Sequence, residues 1–174
     1  MKQEKRLYAA YGSNLNLEQM KWRCPKAKLI GIGEIKDYVL QFKGRRYGAF
    51  ATIAPQDNSI VPVAIWELTD KDERSLDLYE GYPNHYFKQN VVVDMGSEKV
   101  EAMVYIMNLK MDFGIPTQKY YNTVFKGYMD CRLDTEILNQ AVDESIEMHM
   151  KSENLSEDYM EKQESLFDNP QQNM

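Results

Sequence analysis

The chain has 174 residues, 43% of them hydrophobic, and a formal net charge of −6. At this length one domain with a single core is expected, and the acidic balance excludes general nucleic-acid binding, which needs a basic face. The charged N-terminus holds no apolar stretch of signal-peptide or membrane-span length, so no membrane partner and a cytoplasmic location are expected.

Lys5 to Tyr11 reads as a strand, because apolar and aromatic residues fill it almost without a break. Gly12 then lifts the Cβ restriction and Asn14 tolerates a left-handed backbone, so a sharp turn is expected over Tyr11-Gly12-Ser13-Asn14-Leu15. Asn16 is placed to cap a short helix carrying Leu17 and Met20 on one face. A strand, a glycine turn and a helix start bring several backbone N–H groups together, which makes a pocket for an anion such as the carboxylate of a small acid. Cys24 follows the helix. With Cys131 it makes two cysteines, too few for a disulfide framework or a metal cluster, and both read as buried free thiols.

Strands are expected at about 28–34, 38–43, 49–54 and 61–68, with Pro62 near a strand start or an edge. The Lys43-Gly44-Arg45-Arg46-Tyr47 run between them reads as a solvated hairpin tip rather than a site for an acidic group. Thr69 and Asp72 then form a capping box for a helix of good helix formers. Gly81 and Pro83 end that helix at about Glu80. A carboxylate at the negative end of a helix dipole is out of place, where Lys or Arg is the rule. Tyr79, Tyr82 and Tyr86 flank it and would remove water from it. Both effects raise a carboxyl pKa toward the range where the group accepts and donates protons near neutral pH.

Further strands are expected at about 86–94 and 100–108, and helices at about 117–130 and 134–149. In the first of these helices Tyr120, Val124 and Tyr128 repeat every four residues beside Tyr121 and Phe125, a face suited to packing on the sheet. Residues 1–150 are assigned to one domain. Residues 151–174 are charged and amide-rich and are assigned to an extension, helical or disordered, that folding and activity do not require. His85 and His149 stand in no zinc-ligand spacing. No nucleophile-elbow pattern surrounds Ser13. No metal is therefore expected.

The YGSNL loop at Tyr11 to Leu15 and the LDLYEGY segment at Leu76 to Tyr82 together resemble the gamma-glutamylcyclotransferase family, including its AIG2-like branch. The resemblance continues through Tyr86, Ala102 to Met107 and Pro116 to Tyr120. It implies an α+β fold, a small mixed β-barrel with flanking helices. It also implies an enzyme: the α-amine of a γ-glutamyl group attacks its own γ-carbonyl, giving 5-oxoproline and a free amino acid or amine. By the same resemblance Glu80 is the general acid and base. Tyr11, Gly12, Ser13, Asn14 and Leu15 hold the glutamyl group, with Tyr86, Tyr105 and Tyr120 lining the pocket. The partner is a small γ-glutamyl compound, no cofactor is implied, and a homodimer is left open. The Ser-Asn lettering of the loop is similar to the branch acting on γ-glutamyl amino acids and γ-glutamyl-capped intermediates, and unlike the Tyr-Gly-Thr-Leu of the γ-glutamylamine (isopeptide) enzymes. The alternative from another class is a protein that binds a small carboxylate on the same fold without catalysis, for which an acid at position 80 has no use.

Overall fold

The computed structural model describes residues 5–167. Its five strands are β1 (Arg6–Ala10), β2 (Lys28–Lys43), β3 (Phe50–Leu68), β4 (Tyr86–Asp94) and β5 (Lys99–Met107). They close into a barrel in the order β1-β3-β2-β4-β5. All neighbours are antiparallel except β1 and β5, which run parallel and seal the barrel through Tyr8 and Met103. The helices are α1 (Leu17–Arg23), α2 (Asp70–Glu80), α3 (Gln118–Asp130) and α4 (Thr135–Phe167). The expected small mixed barrel with flanking helices is the fold observed.

Four of the expected strands are halves of two. Residues 28–34 and 38–43 fall in the continuous β2, and the expected 49–54 and 61–68, but for residue 49, fall in the continuous β3. The polar, low-propensity residues that suggested breaks mark a bulge instead. The register runs Lys36↔Ile60 and then Tyr38↔Pro55, so residues 56–59 oppose Asp37 alone. Asp37 (φ 59°) and Asn58 (φ 61°) take left-handed conformations there, and the Asn58 amide donates to Asp37 Oδ1 at 3.0 Å. Such bulges bend and twist long strands, which closing a small barrel requires. Pro62 lies inside β3 rather than at its start. It pairs with Glu34 of β2, whereas pairing to β1 begins only at Ala64, so the missing donor disrupts one ladder at most.

The core fills the barrel and the space under the helices. Tyr105, Phe42, Leu40, Ile53 and Ile65 are fully buried from the strands, and Leu15, Met20, Leu76, Tyr128 and Leu138 from the loops and helices. The apolar stripe of α3 packs mainly on the turn after β1 and on α4, not on the sheet as its periodicity suggested. At its first turn the Tyr120 ring meets Phe42 and Phe50 of the sheet edge-on at centroid distances of 6.4 and 5.0 Å. The reason is Gly127: a Cβ there would lie 2.6 Å from Leu15 Cβ and 2.6 Å from the Asn16 nitrogen. Glycine lets the helix backbone rest directly on the turn. Cys131 and Cys24 are both buried and unpaired.

α4 continues without interruption from Thr135 to Phe167, so its helix crosses the expected domain boundary at 150. Leu138, Ala141, Ser145 and His149 are buried along it, and Ser145 Oγ accepts the Phe42 amide of β2 at 2.9 Å. Residues 168–174 of the expected extension lie outside the described residues. No helix among those described is long and apolar enough to cross a membrane.

Candidate active site

The two segments singled out in the sequence meet. α2 begins with the expected capping box: Thr69 Oγ1 accepts the Asp72 amide at 3.3 Å, and Asp72 Oδ2 accepts the Thr69 amide at 3.0 Å. It ends at Gly81, in the left-handed conformation (φ 64°), whose amide reaches back to the carbonyls of Asp77 and Leu78. A Cβ at Gly81 would lie 2.5 Å from His85 Cδ2, so space and backbone both call for glycine. This stop leaves Glu80 as the last helical residue, with no basic residue in the final turn.

Opposite it, Ser13–Leu15 form one 3₁₀ turn whose Leu15 and Asn16 amides bond to the Gly12 and Ser13 carbonyls at 3.0 and 3.1 Å. Asn16 caps α1 as expected, its side chain accepting the Gln19 amide at 3.1 Å. Neither Gly12 (φ −115°) nor Asn14 takes the left-handed backbone that the sequence suggested. Gly12 serves a close approach instead, since a Cβ would stand 3.3 Å from Ala51 Cβ and 3.4 Å from the Tyr120 hydroxyl. Among the described residues the amides of Gly12, Ser13 and Asn14 have no acceptor. These three are the free N–H groups available for the anion pocket expected here.

Loop and helix end face each other across a cavity of about 740 Å³, a size typical of small-molecule sites. Tyr11, Gly12, Ser13, Asn14, Glu80, Tyr86, Tyr105 and Tyr120 all line it. Leu15 does not. It is fully buried behind the turn, under Gly127, because the 3₁₀ turn rotates its side chain into the core. Of the three tyrosines expected around Glu80, Tyr79 and Tyr86 are on the wall, whereas Tyr82 turns away and lies under the Lys88 ammonium, 4.6 Å from its ring centroid. Glu80 Oε1 accepts Asn14 Nδ2 at 3.1 Å. Burial pushes the Glu80 carboxyl up to about 7, against the opposing pull of the Arg23 charge and the Asn14 hydrogen bond. The helix C-terminus acts in the same direction as burial.

The tyrosine hydroxyls divide by what their protons already do. Tyr11 donates to the Tyr105 carbonyl at 2.5 Å, Tyr86 to the Ala51 carbonyl at 2.9 Å, and Tyr105 to Asp77 Oδ1 at 2.6 Å. Their remaining capacity is to accept. Tyr120 instead accepts the Ala51 amide at 3.2 Å and Tyr8 accepts Asn14 Nδ2 at 2.9 Å, which leaves both protons free to donate. Burial holds Tyr8, Tyr11, Tyr86, Tyr105 and Tyr120 above the ordinary tyrosine range, so all five are neutral near pH 7. The cavity thus offers two free hydroxyl donors, three hydroxyl acceptors, one carboxyl titrating near neutrality and three free amides.

The sequence reading missed Tyr8, Arg23 and the apolar far wall of Phe50, Met107 and Met111. Tyr8 carries a readable signal, a polar hydroxyl in an otherwise apolar strand three residues before the loop. Arg23 reads from sequence as an ordinary basic residue in the last turn of α1. Arg45 also lines the cavity, although its run was read as a solvated tip. His85 adjoins Gly81 on the wall.

The family described as gamma-glutamyl cyclotransferase, AIG2-like, matches residues 8–122, and the chain belongs to it. Human gamma-glutamylcyclotransferase is 26% identical over 144 residues, covering 77% of this chain and 76% of the human protein. A solved structure of a gamma-glutamyl cyclotransferase superposes with a TM-score of 0.72 at 24% identity, over 79% of this chain and 86% of that one. YkqA from Bacillus subtilis superposes with a TM-score of 0.68 at 20% identity, over 83% of this chain and 55% of that one. At these identities the structural likenesses are likenesses of fold.

Proposed function

We propose that the protein cyclises the γ-glutamyl group of a γ-glutamyl amino acid or γ-glutamyl-capped amine to 5-oxoproline. The observation that carries this reading is Glu80, a carboxyl titrating near neutrality on one wall of a cavity whose facing wall is the free amides of Gly12, Ser13 and Asn14. The substrate's α-carboxylate rests on those amides. Its α-ammonium faces Glu80 and the accepting hydroxyls of Tyr11, Tyr86 and Tyr105. Glu80 takes one proton from the ammonium, and the freed amine attacks the γ-carbonyl carbon. The carbonyl oxygen gains the negative charge, and the donors for it are the uncommitted protons of Tyr8 and Tyr120. As the oxyanion collapses, the bond to the departing nitrogen breaks and Glu80 returns its proton to that nitrogen; the new ring nitrogen then gives its surplus proton to the Glu80 carboxylate, which passes it to the released amine, so that the amine leaves as an ammonium. Nucleophile and electrophile belong to one molecule, so the protein's contribution is folding the substrate and relaying protons from its α-nitrogen to the departing one.

A non-catalytic carboxylate binder gains nothing from a buried acid with a raised pKa, because ionised Glu80 repels an anionic ligand. The test is a panel of γ-glutamyl amino acids and γ-glutamylamines incubated with the protein and analysed for 5-oxoproline. Release from at least one amino acid conjugate is expected. Release from none, with ligand binding intact, overturns the reading in favour of the binder.

A further inference from the structure

Arg23 closes α1 and lies outside the cavity wall, yet it touches three parts of the site. Its NH1 group donates to Asn14 Oδ1 at 2.6 Å and to Ser13 Oγ at 3.1 Å, and NH2 donates to Gln19 Oε1 at 2.7 Å. Its guanidinium carbon lies 3.6 Å from the ring centroid of Tyr79, the residue before Glu80. A guanidinium has donors only, so Asn14 must present its oxygen to Arg23. The Asn14 Nδ2 group then faces Tyr8 at 2.9 Å and Glu80 at 3.1 Å. The reversed amide would aim an oxygen at the carboxylate, an arrangement that requires Glu80 to carry a proton.

We propose that Arg23 is a positioning residue: by fixing the Asn14 amide with its nitrogen toward Glu80, it holds Glu80 ready as a base. This inference rests on the reading of Glu80 as the acid and base of the reaction. The groups around Glu80 come from every element that packs on it. Tyr8 of β1, Tyr11, Tyr86 of β4 and Tyr120 of α3 each sense its charge and are themselves neutral through burial. Tyr79 precedes it on α2, and His85 packs on Gly81 just after it. Arg23 is the permanent charge among these groups, and it draws the Glu80 pKa down where burial drives it up.

The test compares wild type with Arg23→Gln and Arg23→Lys. Two quantities are read: the acid limb of kcat/KM against pH with γ-glutamyl-alanine, and the midpoint of the Glu80 carboxyl titration followed by carbon NMR, assigned with Glu80→Gln. In Arg23→Gln both should move up by about one pH unit, the lower end of what one close opposite charge does to a carboxyl. Arg23→Lys keeps the charge but loses the fork, and should fall between. An Arg23→Gln protein that is folded by circular dichroism, with limb and midpoint unmoved, overturns the proposal even if its rate falls. If Arg23→Gln does not fold, Arg23→Lys decides on the same two readouts, and an unmoved midpoint overturns it. If wild type releases no 5-oxoproline, the catalytic reading fails by itself, while the carboxyl titration still decides what Arg23 does to Glu80.

Discussion

Asn14 Nδ2 lies 3.1 Å from Glu80 Oε1, and this contact joins the β1–α1 turn to the C-terminus of α2. One donor serves two acceptors there, Glu80 and the Tyr8 hydroxyl. The hydrogen bond favours an ionised Glu80, and burial favours a protonated one. The two effects leave the group near pH 7, the range in which one carboxyl can act as base and then as acid within a single turnover.

Glu80→Gln separates activity from stability. Glutamine keeps the size of the side chain but cannot carry the proton, so 5-oxoproline release should fall by at least ~10²-fold. Stability should change in the opposite sense. In the fold Glu80 holds its proton up to about pH 7, against an ordinary carboxyl value of 4.5. The folded state therefore binds the proton more tightly than the unfolded chain, and wild type loses stability as pH rises through this window. The loss amounts to about 3–4 kcal/mol from the size of the shift. Urea melts at several pH values should show Glu80→Gln gaining on wild type between pH 4.5 and 7, then a constant difference above. Equal pH dependence in the two proteins would mean that the carboxyl is not desolvated as described.

Much of this site was legible because its geometry is made by local signals. The Thr69 and Asp72 capping box and the Gly81 stop fixed where α2 begins and ends, and so where Glu80 stands. Asn16 fixed the start of α1. The Asn14–Glu80 contact and the role of Arg23 were not legible, because they depend on two loops brought together only by barrel closure. Gly12 misled for a related reason: its neighbours Ala51 and Tyr120 are distant in sequence, so a need for space looked like a need for φ freedom. The strand breaks at Asp37 and Asn58 were real irregularities whose meaning, bulge or loop, depends on the pairing of the partner strand.

Gly127→Ala should be the more damaging of two glycine substitutions. Its new Cβ would lie within 2.6–2.7 Å of Leu15 and Asn16 atoms, two of them backbone, so α3 must move off the turn. A loss of about 1–3 kcal/mol is expected, as for overpacking elsewhere. Gly12→Ala meets Ala51 Cβ at 3.3 Å and the Tyr120 hydroxyl at 3.4 Å, so shifts of a few tenths of an ångström at Ala51 and Tyr120 absorb it. Its effect should appear in KM for substrate more than in the thermal midpoint. Thermal melts paired with steady-state kinetics on both variants would check this, and the reverse order of stability losses would refute the packing argument.

The product should bind with its carboxylate on the amides of Gly12, Ser13 and Asn14. Leu15 and Asn16 cannot contribute, since their amides are spent on the Gly12 and Ser13 carbonyls. In proton–nitrogen correlation spectra, titration with 5-oxoproline should shift the first three amides downfield and leave the Leu15 and Asn16 amides nearly in place. A co-crystal with 5-oxoproline elsewhere in the cavity and this turn empty would contradict the assignment.

The last prediction concerns how far α4 is needed. His149 is buried and donates through Nδ1 to the Phe113 carbonyl at 3.0 Å. Glu153, one turn later, pairs with Arg46 at 3.0 Å. Phe113 and Arg46 belong to two loops bonded to each other, through the Gly44 amide to the Asp112 carbonyl at 2.9 Å and the Ile115 amide to the Arg46 carbonyl at 2.9 Å. Gly44, Arg45, Asn108 and Met111 of the same loops line the cavity. α4 therefore clamps the cavity rim as far as Glu153, whereas Asn154 to Asp158 and Met160 are all exposed. A chain ending after Glu157 should match the full-length protein in melting temperature and KM. A chain ending after His149 loses the Arg46 partner and leaves its final helical carbonyls unpaired, so its last turn frays where His149 must hold Phe113. An exposed ion pair contributes only ~0–1 kcal/mol, and the frayed turn adds to it, so a fall of a few degrees is expected at about 2–4 °C per kcal/mol. The KM should rise with it as the rim loosens. If both shortened chains behave as full length, α4 is dispensable from residue 150 onward and the clamp has no role. If the chain ending after Glu157 is also destabilised, residues beyond Glu157 carry packing that this clamp does not account for.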